Sequence, residues 1–232
     1  MTAEDFELAI QKYASDSDAS FLQRFFKTGE GEYGEGDVFI GARVPDTRKV
    51  CKVFKDLSLG EIQKLLDSPI HEHRLAAVIL LVNQFNKNKQ KIFDLYLNNV
   101  YRNRVNNWDI VDSSAHQIVG GYLIDKPRDL LFDLASSDNL WQRRVAVLAT
   151  FHFIKNGHAV TSIELAEKLL KDNHDLIHKA VGWMLREVGG RVDEAILIDF
   201  LDKHAHEMPR TMLRYSIEKL PEQTRQHYLK LK

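Results

Sequence analysis

Apolar positions along this chain recur at helical spacing, and the pattern itself repeats. Taking HEHRLAAVIL from 71 and stepping forward by 35 residues gives NNWDIVDSSA from 106, WQRRVAVLAT from 141, LIHKAVGWML from 176 and TMLRYSIEKL from 211, with no gap needed. The fifth column reads Leu75, Ile110, Val145, Ala180, Tyr215, and the tenth reads Leu80, Ala115, Thr150, Leu185, Leu220. Between blocks runs a second helical pattern: KQKIFDLYLNNV at 89–100, PRDLLFDLAS at 127–136, SIELAEKLLK at 162–171 and DEAILIDFLD at 193–202. Turn and cap signals separate the elements at Asn106-Asn107, Ser136–Asn139, Lys171–Asn173 and Gly189-Gly190. Two helices per period of this length are the signature of a helical solenoid, and the consensus of tetratricopeptide repeats is absent. The expected fold is all-α: a curved, HEAT-like helical repeat solenoid forming a single domain over 1–232, with GEGEYGEGDVFIGARVP at 29–45 as a non-helical connector.

A helical wheel separates two faces. Setting the fifth column at 0° and advancing about 100° per residue, the mainly apolar fifth, sixth, ninth and tenth columns fill an arc from about 0° to 140°. On the same wheel Trp108 falls at about 160°, Asp112 at about 200°, Arg144 at about 260° and Trp183 at about 300°. All four are expected opposite the core, on three successive repeats. Arg74, Lys179 and Arg214 share the position of Arg144, giving a basic row interrupted by Asp109. The column of Asp112 otherwise holds Ala77, Val147, Gly182 and Ile217, which suggests a surface that something approaches closely. A carboxylate there, between indoles and a guanidinium, is either a chemically specific site or a local backbone cap beside a solvated basic face.

Composition narrows the class. The chain is 44% hydrophobic and 28% charged, ordinary for a soluble globular protein. Its longest apolar run, LAAVILLV at 75–82, is far short of the roughly 20 residues that cross a bilayer. With early acids in MTAEDFELAI and one cysteine, Cys51, the expectation is a cytoplasmic protein without a signal peptide or internal disulfide. A net charge of -1 gives no bulk attraction for nucleic acid, so basic residues must cluster if it binds any. GEGEYGEG is no phosphate cradle: it lacks the GK[ST] ending, and Glu30, Glu32, Glu35 and Asp37 would repel phosphate. The histidines, among them His71, His73, His204 and His206, reproduce no metal motif, so neither metal nor cofactor is expected. Cys51, Tyr215 and Trp141 read as packing residues.

The stretches W108-D109-x-x-D112, SDNLWQRR at 137–144 and HKAVGWMLRE at 178–187 resemble those of AlkD-type DNA alkylation repair glycosylases, and YGEGDVFIGARVP at 33–45 is similar to that family's N-terminal region. The resemblance covers nearly the whole chain. It implies that Asp112 is the catalytic aspartate, Trp108 and Trp183 the active-site tryptophans and Arg144 the arginine of the SDN-x-W-x-x-R motif; Arg143 adds a second base beside it. The implied activity is monofunctional hydrolysis of the N-glycosidic bond of cationic N3- or N7-alkylated purines, such as 3-methyladenine and 7-methylguanine, in base excision repair.

The residue types suit that chemistry. A purine alkylated at N3 or N7 is already cationic and leaves without a strong general acid, through an oxocarbenium-like state. One carboxylate beside the sugar stabilises the developing charge and positions water. Two indole faces add cation–π attraction, and an arginine fixes a backbone phosphate. Neutral lesions such as uracil should be poor substrates, and a shallow solenoid groove offers no evident deep base pocket. The expected partner is double-stranded DNA carrying alkylated bases, bound by a monomer that associates with the nucleoid, with Arg74, Arg143, Arg144, Lys179 and Arg214 as DNA contacts. The competing function is a non-catalytic HEAT-like module that binds structured DNA or a protein.

Overall fold

The computed structural model describes residues 1–231, and their regular secondary structure is helical. No β-strand forms among them; an isolated parallel bridge joins Val38 to Ile70. By internal contacts the chain divides into two compact units, Met1–Ser114 and the residues from Ala115 onward.

The first unit contains α1 (Ala3–Gln11), α2 (Asp16–Phe25), α3 (Val44–Val53), α4 (Leu59–Asp67), α5 (His71–Gln84), α6 (Lys89–Tyr101) and α7 (Trp108–Asp112). Side chains define the early boundaries. Thr2 and Asp5 form a reciprocal capping box on α1, and Ser15 and Ser58 cap α2 and α4. Residues 29–43 contain no helix, as expected, and α3 then begins at Val44 with Pro45 in its first turn. At the centre lies α5, which packs on α3, α4, α6 and α7 and is buried continuously from His71 to Leu81.

The second unit contains α8 (Gly121–Leu123), α9 (Asp129–Ala135), α10 (Leu140–Lys155), α11 (Val160–Lys168), α12 (Asp175–Arg191), α13 (Glu194–His204), α14 (Arg210–Ser216) and α15 (Glu222–Lys230). Its long helices stack in sequence, α10 on α12 and α12 on α14, with α9, α11 and α13 beside them. The repeat therefore corresponds to helix pairs. Its core columns are buried as expected: Leu75, Ile110, Val145 and Ala180 in one, Leu80, Ala115, Thr150, Leu185 and Leu220 in another.

Three expectations fail locally. The helix expected to run through 106–115 stops at Asp112. Ser114 Oγ donates to the Ile110 carbonyl at 2.6 Å and Ser113 Oγ to the same carbonyl at 3.2 Å, so hydroxyls take the place of backbone donors. A turn follows, then a π-helical segment at His116–Gly120. Gly189-Gly190 does not end a helix but lies within α12, where a Cβ on Gly189 would stand 2.6 Å from Leu197 Cδ2. The column of Asp112 is also not an open surface: Ala77, Val147, Gly182 and Ile217 are buried. A neighbouring helix is what approaches closely. A Cβ on Gly182 would meet the Met212 carbonyl oxygen at 2.5 Å, so this glycine sets the spacing of α12 and α14.

Candidate active site

The sequence-designated residues fall in both units. Trp108 and Asp112 belong to the first, and Arg144, Lys179, Trp183 and Arg214 to the second.

In the first unit, Asn107 caps α7 by accepting the Trp108 N–H on its side-chain oxygen at 2.8 Å. Trp108 and Asp112 are the first and last residues of this five-residue helix, one turn apart and both partly exposed. The indole lies against Phe26, with ring centres 5.1 Å apart and planes within 13°, and meets the edge of Phe25 at 6.1 Å. Asp112 is close enough to the buried Tyr96 phenol to oppose its ionisation; burial is the larger cause, and the 2.8 Å hydrogen bond with Ser114 works the other way.

Behind this pair sits a buried ionic chain that sequence reasoning did not find. His71 bonds through Nε2 to Asp109 Oδ2 at 2.8 Å and through Nδ1 to Asp37 Oδ2 at 2.9 Å. Asp37 also accepts from Arg74 Nη2 and, at 3.1 Å, from Asn107 Nδ2. Burial alone would lower the His71 pKa, but the two carboxylates outweigh it and raise it to about 9. The imidazole is therefore a cation at neutral pH, stacked on Phe39 at 4.4 Å. Asp37 is held below the usual carboxylate range by His71, Arg74 and Asn107, against the opposing effect of burial. The connector residue Asp37 thus ties three elements together: its own loop, α5 through His71 and Arg74, and the start of α7 through Asn107.

This corrects the expected basic row. Arg74 does not lie on an open surface: its side chain is 3% exposed and spent on Asp37 and the Ser68 carbonyl. Arg143 is also occupied, with Nε on Asp172 at 2.7 Å and Nη1 on the carbonyls of Ser137 and Asp138 at 2.9 Å each. The wheel placed Arg74 on an open surface because it treats a helix as isolated, whereas neighbouring loops fold over the N-terminal turns that carry Arg74 and Arg143.

In the second unit, α10 begins at Leu140 because Asn139 accepts the N–H groups of Trp141 and Gln142 on its side-chain oxygen. Arg144, one turn in, is buried rather than solvated, and its Nη1 donates to the Leu176 carbonyl. Lys179, on α12, pairs with Asp175 at 2.6 Å and remains partly accessible, while Arg214 on α14 is exposed. Trp183 is partly exposed on α12 and leans against Phe151 at 5.8 Å.

Phe151 gathers positive charge. Lys155 Nζ lies 4.8 Å and the Arg191 guanidinium 5.5 Å from its ring centre, and the His116 ring stands edge-on at 5.3 Å. Burial, then Lys155 and His152, push the His116 pKa down to about 4; burial and Arg191 lower that of Lys155. With His116 neutral and Arg191 held by Glu187 at 2.6 Å, Lys155 is the cation nearest this ring that no carboxylate among the described residues is recorded to hold. A signal for these residues existed: Phe151 and Lys155 follow Arg144 by seven and eleven positions, within about 20° of it on a helical wheel.

The DNA alkylation repair enzyme family model matches residues 6–220. The chain belongs to this family. Among solved structures it is similar to a predicted DNA alkylation repair enzyme from Enterococcus faecalis, with 15% identity, a TM-score of 0.73, and coverage of 90% of this chain and 97% of that one. At that identity the likeness speaks for the fold, the HEAT-like α-solenoid expected from the 35-residue repeat. No curated protein sequence matches. Among the described residues of this family member, no helix is long and apolar enough to cross a membrane. Its first unit also contains a mainly apolar cavity of about 280 Å³, lined by Phe21, Phe26, Phe39, Leu75, His71 and Asp109 among others.

Proposed function

We propose that this alkylation repair family member is a monofunctional DNA glycosylase that releases cationic N3- or N7-alkylated purines from double-stranded DNA, acting as a monomer on the cytoplasmic nucleoid. One observation carries this reading: a partly exposed carboxylate, Asp112, one turn after a partly exposed indole, Trp108, in a chain of this family.

The chemistry follows from charge. The bond from C1′ to the base nitrogen breaks with its electron pair going to the base, which leaves neutral, and the sugar becomes an oxocarbenium ion. Asp112 stabilises that cation and orients a water; the water oxygen bonds to C1′ and its proton passes to the carboxylate or to solvent. Trp108 presents an electron-rich face, held in place by Phe26. Trp183 is assigned the second indole face. Arg144 is assigned the phosphate contact on the family resemblance alone, since its guanidinium is buried and donates to the Leu176 carbonyl. Lys155, Lys179 and Arg214 supply further positive charge for the DNA backbone.

The test is incubation with methylated DNA followed by chromatography of released bases. The wild type should liberate 3-methyladenine or 7-methylguanine. Asp112→Asn should bind the same DNA with excision slower by about 100-fold or more, the scale of removing a preorganised electrostatic group. An Asn variant that excises at the wild-type rate would remove Asp112 from the mechanism, and binding without release by the wild type would favour a non-catalytic module.

A further inference from the structure

The segment QRFFK at 23–27 places two aromatic residues between two cations at the end of α2. Phe26 is buried, but Phe25 and Phe21, one turn earlier on α2, are 53% and 55% exposed, where burial would normally hide such rings. They stack on each other, with ring centres 5.9 Å apart and planes within 17°, and Phe25 meets Trp108 edge-on. A run of aromatic faces therefore leads from solvent to the indole assigned to the active site.

The backbone beside it is strained for a lysine. Thr28 N–H bonds to the Gln23 carbonyl at 3.2 Å and Lys27 N–H to the Arg24 carbonyl at 3.3 Å, the two bonds of a Schellman helix end. That motif puts Lys27 at φ 52°, where glycine is favoured. Neither Lys27 nor Arg24 pairs with a carboxylate among the described residues. The nearby acids are engaged elsewhere: Glu32 and Glu35 fold back onto the N–H groups of Gly29 and Gly31, and Asp18 is held by Arg43.

We infer that the exposed end of α2, Phe21 and Phe25 flanked by Arg24 and Lys27, is a stacking platform for an unpaired nucleobase of the DNA strand that lies beside Trp108. The inference rests on the DNA-repair reading and adds a preference for a locally unpaired substrate. Ring faces accept any base, and the flanking cations meet the phosphates on either side of it. A purely apolar protein surface would match the rings but leave both cations without a counter-charge, which a phosphate backbone supplies.

The experiment measures equilibrium binding of the full chain to two duplexes of one sequence. One carries 2-aminopurine opposite an abasic analogue, and the other carries it fully paired. The wild type should prefer the first by about 10-fold, within the range for one base–aromatic stack, and quench its 2-aminopurine emission. Phe21→Ala and Phe25→Ala should cut the preference below about 3-fold with melting temperature and paired-duplex affinity held. Lys27→Gly should raise the melting temperature and weaken both duplexes alike. Equal wild-type affinity for the two duplexes, or a preference that survives both Phe variants, overturns the platform while leaving the glycosylase reading intact. No wild-type binding to either duplex overturns both readings. Concentration-dependent dimerisation abolished by Phe21→Ala would assign the patch to a second copy of the chain instead.

Discussion

Replacing His71 with Gln tests whether the buried ionic chain holds the first unit together. His71 lies between Asp37 and Asp109, and its pKa rises from 6.5 to about 9 on folding. A folded pKa above the unfolded one means that the folded state binds the proton more tightly. The resulting stability is fully present below pH 6.5 and is lost as pH climbs through 9. That displacement corresponds to about 3 kcal/mol. Urea denaturation at pH 6 and pH 10 should therefore show the wild type losing stability of that order relative to His71→Gln. Every other titrating group is common to both proteins and cancels in the comparison. At pH 7, Asp37→Asn should be more damaging than an exposed carboxylate change, since breaking a buried ion pair costs about 3–5 kcal/mol. Parallel stability curves for wild type and His71→Gln would mean that His71 is not the cation of this chain. The account of how α7 is anchored would then fail.

Other perturbations separate structure from chemistry. Gly182→Ala places a methyl against the Met212 carbonyl and Tyr215 Cβ and should cost about 1–3 kcal/mol, read as a lowered melting temperature; an unchanged value would mean that α12 and α14 separate freely. Arg74→Ala should destabilise the fold without changing the salt dependence of DNA binding, whereas Lys179→Ala or Arg214→Ala should each lower the salt slope by about 1 with stability kept; the reverse pattern would restore Arg74 to the DNA-contact surface. Trp108→Ala and Trp183→Ala should each slow single-turnover excision more than the Phe substitutions do, and the double Ala variant should be non-additive. A rate loss wholly explained by the unfolded fraction would make them packing residues.

The solenoid was legible because its determinant is one-dimensional. A column such as Leu75, Ile110, Val145 and Ala180 faces the core whatever the neighbouring loops do. Cys51 was legible for the same reason: it is buried, and burial raises its thiol pKa to about 12, as suits an inert core residue. The basic row was not legible. Arg74 and Arg143 lie in first turns that loops cover, and whether a first-turn arginine meets solvent or Asp37 depends on a loop 37 residues away in sequence. The glycine-rich stretch was read as a connector or lesion-proximal loop whose acids repel phosphate. Yet Asp37 turns inward, and no local pattern marks it, because its partners His71, Arg74 and Asn107 come from two other elements.

Asp112 shows how a repeat accommodates a functional exception. In four other repeats its column holds Ala77, Val147, Gly182 and Ile217, buried positions where one helix packs against another. A carboxylate placed there on an uninterrupted helix would lose its hydration without a guaranteed partner, a cost of several kcal/mol. The helix does not continue: it stops at Asp112, with the hydroxyls of Ser113 and Ser114 on the Ile110 carbonyl, and Asp112 remains partly exposed. Tyr96 reinforces the break through its hydrogen bond with Ser114. The departure in residue type and the departure in helix geometry thus occur at the same step of the repeat, and each makes the other tolerable. The break releases the carboxylate from a packing position, while capping by Asn107 and the ionic chain through Asp109 and His71 keep the short helix fixed without the length that normally stabilises one. A site that must present negative charge to a transient cation needs both accessibility and a fixed position. An interrupted helix held by a buried ionic chain supplies the two together.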